Sequence, residues 1–154
     1  MSVVGAFLSV KGRARRRIFW LITILASLIA MLAGFVAGVA GLDPALNAAI
    51  SAVISVTLSL PVTIRRGHDR NRPAWWTLML YALVEFGVLF MTSDAFSRWD
   101  VVIPNSELST GTFVMLAVLI AGGLLLADYG VNPGKPETNR YGPPPPGSPR
   151  EIYG

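Results

Sequence analysis

The stretch that decides the fold is residues 18–41, IFWLITILASLIAMLAGFVAGVAG, which contains no charged side chain. A helix rises about 1.5 Å per residue, so about 20 apolar residues are needed to cross the roughly 30 Å of hydrocarbon in a bilayer. Three further apolar stretches meet this requirement, at residues 45–64, 73–91 and 112–129. The sequence therefore predicts an all-α membrane protein, a bundle of four transmembrane helices.

The composition agrees with a protein embedded in lipid. Of the 154 residues, 53% are hydrophobic and 14% are charged, whereas soluble domains carry about 25% charged residues. There is no cysteine and only one histidine, which excludes disulfides and thiolate metal sites and leaves zinc without its usual ligands. We therefore expect no metal ion and no cofactor.

The basic residues predict the orientation of the bundle. Five Lys and Arg residues precede the first span, four lie between the second and third spans, three lie in the tail, and one lies between the third and fourth spans. Positively charged residues resist translocation, so the side with twelve of the 13 is expected to be cytoplasmic, together with both termini. Short basic segments beside apolar runs are typical of a membrane surface rather than of a nucleic-acid interface.

The chain divides into three parts by composition. Residues 1–17 form a basic N-terminal segment, residues 18–130 form the transmembrane domain, and residues 131–154 form a tail rich in proline and glycine. The tail contains the run Pro143 to Pro146, and such a segment is expected to be extended, solvated and disordered. The tail has two possible roles. It can dock along the cytoplasmic face through Tyr141, or it can recruit a partner through the prolines.

Small residues at a spacing of four predict how the first two helices pack. Helices in a bilayer associate by close backbone approach, which small side chains allow. These residues can seal the bundle internally or form the face of a homo-oligomer, and we favour the internal arrangement because four helices have to pack against one another. The two lines are Ala26, Ala30, Gly34 and Gly38 in the first span and Ser51, Ser55 and Ser59 in the second.

Glu85 is an ionisable residue well inside the third predicted span. Ser51 and Ser55 of the second span lie at a similar depth, so a hydrogen bond from the carboxyl group to a serine is expected. One interpretation is a proton or cation site; the other, which we favour, is a neutral carboxyl group that orients two helices. A single carboxyl group without an intramembrane basic partner or a second acid makes a poor proton relay.

Three segments combine arginine, aromatic and proline residues at the predicted membrane surface. They are KGRARRRIFW at 11–20, LPVTIRRGHDR at 60–70 followed by Trp75 and Trp76, and NRYGPPP at 139–145. With these motifs in this order, the sequence resembles the bacterial family known as domain of unknown function 805, small inner-membrane proteins with several transmembrane helices. The residues that carry the resemblance are Gly12, Arg13, Arg16, Phe19 and Trp20, then Arg65, Arg66, His68, Asp69, Trp75 and Trp76, then Asn139, Tyr141, Gly142 and Pro145.

Two positions depart from the pattern of that family. Gly67 stands in place of the usual leucine, and Ala74 stands in place of the glycine before the tryptophans. Both departures bear on the local geometry of the segment between the second and third spans. The resemblance implies the same topology and a multi-pass location in the bacterial inner membrane, and it brings no established activity.

The arginines and aromatic residues of the three segments are the candidate binding residues. Basic residues at the inner interface gain about 1 kcal/mol each from anionic lipid, and the guanidinium fork suits phosphate oxygens, so the expected partner is anionic phospholipid. Topology and anchoring alone are the plainer interpretation. The candidate set is Arg13, Arg16, Arg65, Arg66, His68, Asp69, Arg70, Trp75, Trp76, Asn139 and Tyr141, with Glu85, Ser51 and Ser55 as polar residues within the membrane.

His68 and Asp69 form a pair of the kind used in acid–base catalysis, but the sequence places no serine, cysteine or second acid to complete a site. We therefore expect no enzymatic activity and no catalytic residue. The leading hypothesis is a non-enzymatic membrane protein that engages lipid headgroups, or a neighbouring membrane protein as an accessory subunit. The alternative is a small channel or transporter, alone or as an oligomer, that uses Glu85 and the serine line.

Overall fold

The described residues of the computed structural model form four long helices. The structure describes residues 9–91, 98–99, 101–103 and 108–145. The helices are α1 (Arg16–Val39), α2 (Pro44–Asp69), α3 (Ala74–Met91) and α4 (Thr110–Leu126), and α4 continues as a π-helical turn, Ala127–Val131. Each is long and apolar enough to cross a membrane when the π turn is counted with α4. This confirms the predicted helix number and indicates a multi-pass membrane protein.

The second helix is longer than predicted. The predicted span ends at residue 64, whereas α2 continues to Asp69 and ends where Asn71 adopts a left-handed φ of 60°. Basic side chains in the last turn of α2 interact favourably with the free carbonyl groups at a helix end. Arg66 and Asp69, expected in a loop, therefore lie three residues apart on one face of a helix.

The turn between α1 and α2 is fixed by local caps. Gly41 has a φ of +74°, which only glycine adopts readily. The Asp43 carboxylate accepts hydrogen bonds from the backbone N–H groups of Ala45, at 2.9 Å, and Leu46, at 3.2 Å. Pro44 occupies the first helical turn, where its missing N–H leaves no bond unmade. These caps bring α1 and α2 into contact as antiparallel neighbours.

The line of small residues on α1 faces α2. Ala26 and Ala30 are buried, and a Cβ atom added to Gly34 would lie 2.8 Å from the Ser51 hydroxyl. The side-chain amide of Asn47 donates to the Gly34 carbonyl at 3.0 Å. The structure therefore uses this part of the line inside the bundle, in agreement with the internal arrangement favoured above.

The serine line of α2 does not reach Glu85 as expected. Within the described residues, the half-buried Glu85 makes no hydrogen bond to Ser51 or Ser55. Residues spaced by four drift by about 40° around a helix, so Ser51 faces α1 while Ser59, two turns later, faces α3. The Ser59 hydroxyl lies 2.8 Å from the hydroxyl of Tyr81, one turn before Glu85.

The apolar core lies toward the end of the bundle where α2 and α4 finish. We call this the basic end: it comprises residues 9–15, the α2–α3 connection and residues 127–145. Each helix packs against the next helix in the chain. The buried cluster consists of Ala14, Phe19, Ile22, Val62, Leu80, Leu125 and Tyr129, with Trp76 and Tyr81 packed against it.

Candidate functional site

A buried carboxylate joins two arginines at the basic end. Asp69 is only 3% exposed. Its Oδ1 atom accepts from Arg13 Nε at 2.8 Å, and its Oδ2 atom is paired with Arg66 Nη1. The side chains of both arginines are almost completely buried. Buried charges are tolerated only when they are paired and their hydrogen-bonding groups are satisfied, so this cluster needs acceptors beyond Asp69.

Backbone carbonyl groups of the π turn and the tail supply those acceptors. Arg66 Nε donates to the Tyr129 carbonyl at 2.7 Å, and its Nη2 atom donates to Asn132. Arg13 donates to the carbonyls of Lys135 and Glu137. The two guanidinium groups therefore tie the N-terminal segment, the end of α2 and the tail into one unit.

Between residues 132 and 145 the tail lies against the end of α2. The Tyr141 ring stacks on the His68 ring with 3.7 Å between centroids and an angle of 8°. The side-chain amide of Asn139 donates to the His68 carbonyl at 2.8 Å. These contacts correspond to the docking alternative through Tyr141, and they arise because carbonyl groups of the tail satisfy buried arginines. Residues 146–154 lie outside the described residues.

His68 does not form a hydrogen bond with Asp69, its neighbour in the sequence. Its Nδ1 atom lies 3.2 Å from the Gly12 carbonyl instead. The tail passes so close to Asp69 that Gly134 has no room for a side chain, because a Cβ atom there would overlap the Asp69 carboxylate. The acid–base pair of the sequence is therefore enclosed by the N-terminal segment and the tail.

A second, more exposed ion pair network surrounds this cluster. Asp128 in the π turn accepts from Arg70 Nη2 at 3.0 Å and from Arg72 Nε at 3.3 Å. The Arg72 guanidinium also lies 5.7 Å from the centre of the Trp76 ring. Arg70 and Arg72 thus hold the α2–α3 connection against the end of α4. Trp75 points outward and is exposed.

We call Asp69, Arg13, Arg66 and the groups bonded to them the polar cluster. Hydroxyl groups extend from it along α3. The Tyr129 hydroxyl lies 2.8 Å from Thr77 Oγ1. Further from the basic end, the Tyr81 hydroxyl lies 2.8 Å from Ser59 Oγ and 3.4 Å from Thr63 Oγ1. These contacts satisfy polar groups between two apolar helices, where an unpaired hydroxyl is costly.

A shallow, wide-open surface depression of about 430 Å³, called the cavity below, lies beside the cluster and is lined by Arg16, Arg17, Trp20 and Gly130. Its wall is held by Trp20 Nε1, which donates to the Gly130 carbonyl at 3.0 Å, and by Arg16 Nη1, which donates to Val131 at 2.9 Å. Arg17 makes no hydrogen bond or ion pair to any described residue. The cavity therefore combines an aromatic ring with guanidinium groups whose hydrogen-bonding capacity is largely unused.

The structure distributes the predicted binding residues over three places. Arg13, Arg66, His68, Asp69, Asn139 and Tyr141 meet inside the polar cluster, whereas Arg16 lies at the cavity and Arg70 in the outer network. Arg65 lies at the edge of the cluster, where its carbonyl accepts from the Ala14 N–H at 3.2 Å. The buried arginines are committed to the protein, so they present no free fork to a phosphate.

Sequence reasoning missed several residues that build the site. Arg17 and Trp20 belong to the first motif, and their place in the first turns of a helix, beside Arg16, was the available signal. Asp128, Tyr129 and Gly130 were hidden at the end of the fourth apolar span, because their carbonyl and carboxylate groups act only once the tail has folded back. In the described ranges, no group of three His, Asp or Glu residues could hold a metal ion.

Comparison with known families gives one match. A family model described as "Protein of unknown function (DUF805)" matches residues 7–143, which include the polar cluster, the cavity and all four helices. No curated protein and no solved structure matches the chain significantly. The arrangement at the basic end thus lies almost completely within the region that the family model covers.

Proposed function

We propose that this chain, which belongs to the DUF805 family of proteins of unknown function, binds anionic phospholipid headgroups as a non-enzymatic protein of the bacterial inner membrane. The basic end then faces the cytoplasm, as the distribution of positive charge favours. The observation that carries this proposal is the cavity at Arg16, Arg17 and Trp20. Guanidinium groups bind phosphate oxygens, and a tryptophan ring favours the depth of the headgroups.

The polar cluster supports the proposal as a scaffold for the cavity. Arg66 holds the carbonyl groups of Tyr129 and Asn132, which lie on either side of the cavity residue Gly130. A Cβ atom on Gly130 would approach the Trp20 ring to 2.5 Å, so only glycine leaves the ring in place. The buried arginines thus fix the wall, and the unpaired Arg17 is free to meet a ligand.

The absence of enzymatic activity remains part of the proposal. The two groups that suit acid–base catalysis are occupied, since Asp69 is paired with two arginines and His68 lies beneath the Tyr141 ring. A general base must reach the proton that it removes from a substrate. Neither side chain has that access while the tail is docked, and an accessory role beside another membrane protein fits such a closed site.

The test is native mass spectrometry of the purified protein with phosphatidylglycerol or phosphatidylcholine. Two guanidinium groups contribute about 2 kcal/mol toward anionic lipid, which corresponds to roughly a 30-fold change in affinity. We expect the wild type to retain phosphatidylglycerol selectively and the double variant Arg16→Ala, Arg17→Ala to lose that selectivity. The matched control is Lys11→Ala, Arg15→Ala, which removes the same charge from exposed residues that do not line the cavity.

The comparison of the two double variants decides the proposal. Selectivity that falls only in the cavity variant supports a headgroup site. An equal fall in both variants would show that binding depends on total charge alone, and no selectivity in the wild type would rule out the function. Retention of a stoichiometric protein partner in place of lipid would move the role to protein recognition.

A second candidate function, a small channel or transporter, is favoured by the hydroxyl contacts that α3 makes with the π turn and with α2. They run from Tyr129 and Thr77 to Tyr81 and Ser59, and Glu85 follows Tyr81 by one helical turn. A row of hydroxyl groups that leads toward a carboxyl group in the membrane is a feature of proton paths. On this view Glu85 takes up a proton or cation from the basic end.

Proton flux into liposomes tests the transporter candidate. The wild type should dissipate an imposed pH gradient faster than protein-free liposomes, and Glu85→Gln should abolish the difference. Ser27→Ala, which alters an exposed hydroxyl on α1 outside this row, is the control and should behave as the wild type. A wild-type flux equal to that of empty liposomes, or to that of Glu85→Gln, would eliminate proton transport through Glu85.

A further inference from the structure

The bundle is not closed between its first and last helices. Each helix packs against its neighbour in the chain, but no Cα atom of α1 lies within 8 Å of a Cα atom of α4. Helix α1 reaches the end of α4 only through the π turn, where Trp20 binds the Gly130 carbonyl and Arg16 binds that of Val131. The two helices therefore meet at the basic end, at the π turn, and the backbones of α1 and α4 stay more than 8 Å apart elsewhere.

Helical spacing from the Trp20–Gly130 contact places exposed side chains of α1 and α4 on the sides where the two helices would meet. On α1, Ile24 and Ser27 follow Trp20 by four and seven residues and share its face; Ile24 is 53% exposed and Ser27 is also exposed. On α4, Leu126 precedes Gly130 by four residues and Leu119 lies two turns further, and they are 41% and 62% exposed. If the helices packed along their length, these side chains would be buried. A cleft with mainly apolar walls thus runs between them.

The cleft begins at the cavity that carries Arg16 and Arg17. We infer that one anionic phospholipid occupies the cavity and the cleft, with its phosphate beside these arginines and one acyl chain between α1 and α4. The inference rests on the proposed headgroup function and adds the path of the hydrocarbon. The mouth is cationic and the walls below it are apolar, so a molecule with a phosphate above an acyl chain matches both parts.

A lipid fits this cleft better than a helix from a second copy in the same orientation. A second copy would bring its own basic N-terminal segment to the arginines at the mouth, and like charges that approach in a partly dehydrated site repel one another. A phosphate brings the opposite charge. An acyl chain also adapts to the shape of an apolar cleft, whereas a helix has a fixed diameter.

Photo-crosslinking in nanodiscs tests the inference. Phosphatidylglycerol with a diazirine on one acyl chain is activated by light, and adducts are mapped by peptide mass spectrometry. We expect adducts concentrated on α1 around Ile24 and Ser27 and on α4 around Leu119 and Leu126. Ser27→Trp, which fills the cleft, should lower these adducts severalfold. Leu25→Trp is the matched control, because Leu25 is exposed but lies about 140° around the helix from Trp20, whereas Ser27 lies about 20° away.

The outcomes separate this inference from the proposed function. Adducts spread evenly over all helices and unaffected by Ser27→Trp, with selectivity for phosphatidylglycerol intact, would overturn the cleft and leave the headgroup site standing. If the wild type showed no selectivity for phosphatidylglycerol, both the proposed function and this inference would be wrong. A dimeric protein in the nanodisc, with adducts absent from these positions of α1 and α4, would show that a second copy fills the cleft. An equal fall in adducts for Ser27→Trp and Leu25→Trp would also contradict the inference, since the position of the added ring would then be irrelevant.

Discussion

The two ends of the bundle are held together in different ways. At the basic end, Asp69 joins arginines from residues 13 and 66, and the tail returns to satisfy them. At the opposite end, the described hydrogen bonds join residues close in sequence, such as the Asp43 cap and the bond from Asn47 to Gly34. Hydrophobic burial does not drive helices together in lipid, so segments far apart in sequence are joined where buried polar groups can pair.

The sharpest test of this comparison exchanges one oxygen for nitrogen at each end. Asp69→Asn leaves two buried guanidinium groups without a counter-charge, which costs about 3–5 kcal/mol. Asp43→Asn keeps a good helix cap and should cost only a few tenths of a kcal/mol. The free energies of unfolding of both variants, measured in mixed micelles with increasing SDS, give the answer. Equal losses would mean that the basic end is not the main source of cohesion.

Gly134 and Gly123 provide a second pair with a smaller expected difference. A methyl group on Gly134 would overlap the Asp69 carboxylate, whereas Gly123 on α4 has open space around it. Gly134→Ala should therefore displace the tail at a cost of about 1–3 kcal/mol, and Gly123→Ala should be neutral or stabilising by up to about 1 kcal/mol. Limited proteolysis between residues 132 and 145 measures the displacement. Equal cleavage rates in the two variants would contradict the docked path.

The sequence predicted the helices better than it predicted the contacts of the basic end. Long uncharged runs are a local signal, so the four spans could be found from length and hydropathy. The end of α2 was misplaced because Arg65 and Arg66 end the apolar run while the helix continues to Asp69. Whether an arginine is buried or free depends on the return of the tail, which no local pattern encodes. From the sequence, the buried Arg66 was therefore named as a binding residue and the exposed Arg17 was missed.

The stack of Tyr141 on His68 should contribute less than the buried carboxylate. Stacked aromatic pairs contribute about 0.5–1.5 kcal/mol beyond their buried area. Tyr141→Ala should thus raise amide hydrogen exchange between residues 132 and 142 and leave exchange in α3 unchanged. Tyr141→Phe keeps the ring and should preserve the protection. If Tyr141→Ala left the exchange of the tail unaltered, the arginine contacts alone would hold it.

The smallest expected effect tests whether burial of a charged side chain, or only its place at the basic end, determines its contribution to stability. Asp128 belongs to the basic end, but its side chain and those of Arg70 and Arg72 are partly exposed, and such pairs contribute about 0.2–1 kcal/mol. Asp128→Asn should therefore lower the free energy of unfolding slightly, and high salt should reduce the difference from the wild type because exposed charges are screened. The loss caused by Asp69→Asn should persist at high salt, since its partners are buried. A large, salt-independent loss for Asp128→Asn would show that all charges of the basic end act as one unit, whatever their exposure.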